Sequence, residues 1–135
     1  MGRSTPNTIH DQVIEDLKTR LLSVQEAPIY VVYLAFDGKL IPKDKNGFGF
    51  LVPSRHNREY LGITFDSCTF PEHNLSSNET RLSVMIGGDI RPDLCTRSES
   101  DVTEIALKAA AETLGITQKP AATGVRFCVV FSSRD

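Results

Sequence analysis

The sequence predicts an α+β domain, a mostly antiparallel or mixed sheet with helices packed on one face. Three observations carry this. Four short β-rich segments crowd between Ile29 and Ile86, too close together for helical crossovers, so hairpin-like pairing is expected. Helix-patterned segments flank them, one before and one after. No repeat or low-complexity tract interrupts the order, and 135 residues suit one domain. Strands paired in hairpins with helices kept to one side are the α+β arrangement.

From Thr8 to about Val24, apolar Ile9, Val13, Leu17 and Leu21 recur every fourth residue, and Ile14 and Leu22 widen the stripe. This is the period of an amphipathic helix. Asn7 or Thr8 would cap it, and Asp11 and Glu15 suit its positive end. Pro28 bars its continuation, which makes 1–27 an N-terminal helical segment.

Residues 28–88 are strand-rich. Ile29 to Phe36 is apolar on both alternating faces and rich in β-branched and aromatic residues, so it reads as a central strand covered from both sides. Asp37-Gly38 is a turn signal. The second strand runs from Phe48 to Pro53, followed by a charged loop from Ser54 to Glu59. The third runs from Tyr60 to Asp66 and the fourth from Arg81 to Ile86, with a polar stretch from Glu72 to Thr80 between them.

Ser98 to Leu114 is the clearest helix, within a segment 98–115. Ser98 and Asp101 form a capping box; Val102, Ile105, Ala106, Ala109 and Leu114 form the buried stripe, and Gly115 stops it. A last apolar strand, Gly124 to Phe131, fills the segment 123–131. The sheet is expected to be mixed only where the second helix carries the chain across it.

Composition excludes several function classes. Lys+Arg 15 against Asp+Glu 17, with no run of like charge, leaves no basic surface for nucleic acid. The longest apolar run, Ile29 to Phe36, falls far short of the ~20 residues that cross a bilayer, and no secretory signal pattern opens the chain. Cys68, Cys95 and Cys128 are odd in number and lack C-x-x-C spacing; they read as buried or half-buried free thiols, not as a disulfide framework or metal site. No residue stands out as acid, base or nucleophile. Asp66, at a strand end, reads as a turn or surface carboxylate, because burying its charge unpaired is costly.

Alternation within the strands points to a binding face. Phe48, Phe50 and Val52 share one side of the second strand, Gly49 and Leu51 the other. In the fourth, Leu82, Val84 and Ile86 share one side and Arg81, Ser83 and Met85 the other. One face of each is built for a core. The thin face, with a glycine and an adaptable thioether, suits a flat apolar ligand, and equally suits contact with another domain or helix.

The run Gly47-Phe48-Gly49-Phe50-Leu51-Val52-Pro53, followed by Leu61-Gly62-Ile63-Thr64-Phe65-Asp66-Ser67 with Phe70-Pro71 and then by Met85-Ile86-Gly87-Gly88, resembles the protoporphyrinogen oxidase family. The likeness extends from about Leu17 to about Val125 and includes Pro28 to Phe36 and Leu114-Gly115-Ile116. It implies a partial substrate domain of a flavin-dependent oxidase of haem synthesis, which oxidises protoporphyrinogen to protoporphyrin by hydride-type transfer to FAD, itself reoxidised by dioxygen. The positions matching the family's tetrapyrrole wall are Gly49, Leu51 and Met85.

The resemblance also marks what is missing. The G-x-G-x-x-G turn for FAD, the propionate-binding arginine, the membrane-docking helical segment and the closing I-P-Q-Y signature are not in this sequence. A truncated or spliced product, or an incomplete gene model, is expected, which alone binds no FAD and is inactive. Membrane association would come only through the absent parts, and the family's place at the mitochondrial inner membrane, or in the plastid of plants, is implied by resemblance alone. The competing reading is a non-catalytic α+β binding or interaction module that self-associates through exposed sheet edges.

Overall fold

The computed structural model describes residues 8–22, 24–56, 58–88 and 91–133. Helix α1 spans Thr8–Leu22, strand β1 Val24–Asp37, β2 Gly49–Leu51 and β3 Tyr60–Phe65. A one-turn helix α2, Asp66–Thr69, precedes β4, Glu79–Gly87; helix α3, Glu99–Leu114, leads to β5, Ala122–Ser133. The five strands form one sheet in the order β2-β3-β4-β1-β5, and every pairing is antiparallel. The expected mixed pairing does not arise. Strands β4 and β5 point the same way, but β1 lies between them and runs opposite to both.

The α3 face holds the core. Even-numbered residues of β1, namely Val32, Leu34 and Phe36, meet Leu82, Val84 and Ile86 of β4 and Ile63 and Phe65 of β3. Helix α3 lays Val102, Ala106, Ala109, Ala110 and Leu114 against them, the three alanines allowing close approach. Ile105 of the expected stripe packs at its margin. Ser98 caps the helix, its Oγ accepting from the Asp101 N–H at 3.2 Å. The buried Thr80 hydroxyl donates to the Gly38 carbonyl at 2.7 Å and accepts from the Leu40 N–H at 2.9 Å, so the turn after β1 carries no orphaned polar group.

Several expectations need correction. The first strand begins at Val24 and contains Pro28, which sits where β4 has ended, so its missing N–H deprives no partner strand. Phe48 precedes β2 and is solvent-exposed, so only Phe50 and Val52 of the proposed core trio pack against the core. Ile9, Val13 and Leu17 of α1 are exposed where a buried stripe was expected. The Asn7 cap and the side chains of Thr8, Leu21 and Leu22 lie outside the described residues. Cys68 is exposed; Cys95 and Cys128 are half-buried.

Candidate ligand wall on the open sheet face

Directly paired residues of an antiparallel ladder project to the same face. Reading across the sheet, Leu51 pairs with Gly62, Gly62 with Met85, Met85 with Val31, and Val31 with Arg126. This row lies on the face opposite α3 and spans about 19 Å, four interstrand spacings. Leu51 is 76% exposed, Met85 and Val31 are half-buried, and Arg126 is exposed. The Arg126 guanidinium has no hydrogen-bond or ion-pair partner among the described residues. The neighbouring row is Gly49, Thr64, Ser83, Tyr33 and Gly124, with the Tyr33 ring part-exposed beside Met85's row.

An irregularity sets this alignment. Tyr60 pairs with Ile86, but Gly62 pairs with Met85, so Leu61 is an extra residue, a bulge in β3. The bulge lets Tyr60 and Ile63 both face the core while Gly62 falls between Leu51 and Met85. Gly62 has no room for a side chain: a Cβ there would run into the Phe50 carbonyl and stand 3.1 Å from Leu51 Cδ2. Gly62 is itself buried, with the Leu51 side chain beside the position its Cβ would take.

Gly49 is explained differently. Its φ of +136° is one that side-chain-bearing residues rarely adopt, and a Cβ would collide with the Ile63 carbonyl and lie 2.8 Å from Thr64 Cα. Close packing of β2 on β3 is enough to require this glycine. A ligand is not needed to account for it.

At the α2 end the face is polar and already satisfied. The Asp66 carboxylate accepts from Thr64 Oγ1 at 3.0 Å and from the Ser83 hydroxyl, which holds α2 against β4. Arg81 donates to Asn74 Oδ1 at 2.7 Å and to the Phe70 carbonyl at 2.9 Å, and pairs with Glu79 at 3.5 Å. Asp66 and Arg81 are thus scaffold for the loop beside the wall. A separate cleft of about 740 Å³ opens between Lys39, Lys43 and the Ser67–Ser77 stretch; Gly49, Leu51 and Met85 do not line it. The wall itself is a flat surface.

Sequence reasoning placed Gly49, Leu51 and Met85 on thin faces of two strands, and the structure sets Leu51 and Met85 in one row with Gly49 in the next. Gly62, Val31, Tyr33 and Arg126 were missed. Alternation gives each strand's own faces, but only the register between strands brings these residues together.

The chain matches the model of the family described as flavin containing amine oxidoreductase over residues 13–129, nearly its whole length. It belongs to that family. Among curated amine oxidoreductase relatives, protoporphyrinogen oxidase of Bos taurus is 37% identical over 108 residues, covering 77% of this chain and 22% of the relative. The Homo sapiens protein of the same name is 35% identical with the same coverage, and that of Dictyostelium discoideum 34% identical over 130 residues. A Nicotiana tabacum relative, 29% identical, is named as mitochondrial. The chain spans about a fifth of the length of these relatives. A crystal structure of a candidate protoporphyrinogen oxidase from an Exiguobacterium species shares the fold, with a TM-score of 0.65 and 20% identity over 87% of this chain and 26% of that one.

A flavin dinucleotide does not fit the residues described. Gly47 and Gly49 lead into a strand, not into a helix that could present N–H groups to a pyrophosphate. The α3 N-terminus carries Glu99 and Asp101 in its first turn, which would repel one. Among the described residues no helix is long and apolar enough to cross a membrane.

Proposed function

We propose that this chain supplies one wall of the tetrapyrrole site of a protoporphyrinogen oxidase, the enzyme that aromatises protoporphyrinogen to protoporphyrin in haem synthesis. The observation that carries this is the row Leu51–Gly62–Met85, a flat apolar strip in which Leu51 and Met85 flank a buried glycine. A planar macrocycle could lie across it, resting on the Leu51 and Met85 side chains. Val31 extends the strip, and Arg126 at its end, without a partner among the described residues, offers a guanidinium to a ring carboxylate.

The part played by these residues is positional. Covering Leu51 removes apolar surface from water, worth up to ~1.5–3 kcal/mol for a side chain of this size. Met85 and Val31 add contact, and the satisfied Asp66 and Arg81 keep the neighbouring loop in place. In the family the flavin would supply the hydride acceptor; the residues described here would only hold the ring in a fixed plane for the transfer. The residues described here contribute no acid, base or nucleophile to it. We further place the working enzyme at the mitochondrial inner membrane, in keeping with the mitochondrial naming of the tobacco relative.

Titration of protoporphyrin into the chain, followed by fluorescence, tests the reading. Leu51→Asp and Met85→Asp are expected to weaken binding at least tenfold. Equal affinity in both variants and the parent would remove the wall assignment. The chain alone is proposed to hold no FAD and to lack oxidase activity; purified protein with near-stoichiometric flavin absorbance would contradict that.

A further inference from the structure

Strand β5 is twelve residues long and lies at the edge of the sheet, paired among the described residues only with β1. Which of its backbone groups are free follows from bonds elsewhere in β1. Gly38 N–H donates to Asn78 O and Gly88 N–H to Pro28 O, so even-numbered residues of β1 aim their backbone groups at β4. Odd-numbered ones aim at β5, in keeping with the Ala35 carbonyl accepting from Ala121 N–H. In the β1–β5 register the partners of odd β1 residues are even β5 residues. Thr123, Val125, Phe127, Val129 and Phe131 therefore turn their N–H and C=O groups outward.

Among the described residues this edge is lightly guarded, with Arg126 its one charged side chain. From Ala122 to Ser133 there is no proline, lysine or acidic residue, and the register with β1 runs without a shift. Natural sheets usually blunt an edge with such features, or keep it short as the three-residue β2 does at the opposite edge. Among the described side chains, two large apolar ones stand exposed on outward-bonding positions: Phe127, 51% exposed with its ring edge-on to Tyr30 at 5.2 Å, and Val129, 41% exposed.

We propose that two copies of this chain pair through β5, antiparallel about a two-fold axis at Cys128, to make one continuous ten-stranded sheet. The occupant is a second copy because the strand complements itself. Outward residues must meet outward residues, so the axis has to pass through a single residue of β5. With the axis at Cys128, Phe127 of each copy lies opposite Val129 of the other, an aromatic–β-branched pair that covers both exposed side chains. Arg126 then faces position 130, so the two guanidinium groups are not opposed. With the axis at Phe127, that ring would face itself and Val129 would face Val125, which already packs against the core. At the favoured register the two Cys128 residues form a non-hydrogen-bonded pair with Cα atoms ~4.5 Å apart, within disulfide reach.

Sedimentation of the full chain is expected to show a dimer. Val129→Pro removes an outward N–H without touching a β1 bond, and Phe127→Lys sets a charge on the seam; both should be monomers with unchanged far-ultraviolet circular dichroism. Diamide, which accepts the two electrons and two protons released when two thiols join, should yield a covalent dimer in a Cys68→Ser/Cys95→Ser variant. Cys128→Ser should remain a dimer without cross-linking through position 128. A parent chain that stays monomeric, a Val129→Pro or Phe127→Lys variant that stays dimeric, or cross-linking that runs through Cys68 and spares Cys128 would each overturn the pairing. None of these readouts involves porphyrin, so the outcome is independent of the tetrapyrrole reading.

Discussion

Leu51 and Met85 stand on either side of Gly62, each paired directly with it, on the same face of the sheet. Two residues 34 positions apart in sequence thus become second neighbours across three strands, about 10 Å apart by interstrand spacing. Between them lies a buried glycine that has no space for a side chain. The spacing is comparable to the width of a fused or conjugated ring system, and the surface is too flat to grip anything compact.

Gly62→Val should distort the wall and the fold together, because the added atoms meet the Phe50 carbonyl and Leu51. Overpacking of this kind costs about 1–3 kcal/mol. Gly47→Ala, where a Cβ meets nothing within 4 Å, should stay within about 0.5 kcal/mol of the parent. Urea unfolding of the pair checks both.

Gly49→Ala is expected to lower stability and porphyrin binding in step, since its φ and the Ile63 carbonyl both oppose a side chain. Leu51→Asp should separate the two effects, because that side chain is exposed and its loss leaves the core intact. Thermal melts run beside the fluorescence titration will show whether Leu51→Asp leaves the midpoint in place.

Arg126→Gln should weaken protoporphyrin by a few-fold, the modest return of an exposed charge pair, ~0.2–1 kcal/mol. The dimethyl ester of the same porphyrin, which has no carboxylates, should bind parent and variant alike. Equal loss with acid and ester would assign Arg126 to packing and not to charge recognition.

Ser98→Ala removes the oxygen that accepts from Asp101 N–H and should cost ~1 kcal/mol, read from the urea midpoint at unchanged slope.

Burial pushes the Cys95 thiol up from its ordinary value, and its S–H donates to the Pro28 carbonyl at 3.1 Å. A raised value means the folded state holds the proton more tightly. The associated stability is present below the ordinary thiol range and is lost as pH rises through and above it. Timed alkylation with mass spectrometry should modify exposed Cys68 first, with Cys95 reacting appreciably only at more alkaline pH.

Much of the fold was legible because it rests on short-range patterns. The α3 stripe, its Ser98 cap and the inward side of β4 follow from spacing and capping chemistry alone. Helix α1 shows the limit of that reasoning: its apolar period is real, yet Ile9, Val13 and Leu17 meet solvent, because periodicity reveals a face without revealing what covers it. The mostly antiparallel pairing was legible, but that the strand after α3 also pairs antiparallel was hidden for a related reason. Whether α3 returns the chain beside β4 or beyond β1 depends on long-range pairing energy, and no local residue records it. For the wall, Leu51 and Met85 were readable from alternation, while Gly62, Val31 and Arg126 depend on register.

Leu61 has a consequence for how related sequences should be compared. Because strand side chains alternate, removing that single supernumerary residue would invert the phase of part of β3 against β4, turning Ile63 outward or forcing β2 to slide. Insertions and deletions elsewhere in the loops should be tolerated, whereas the count of residues between Tyr60 and Ile63 should act as a fixed ruler, whatever side chain occupies position 61.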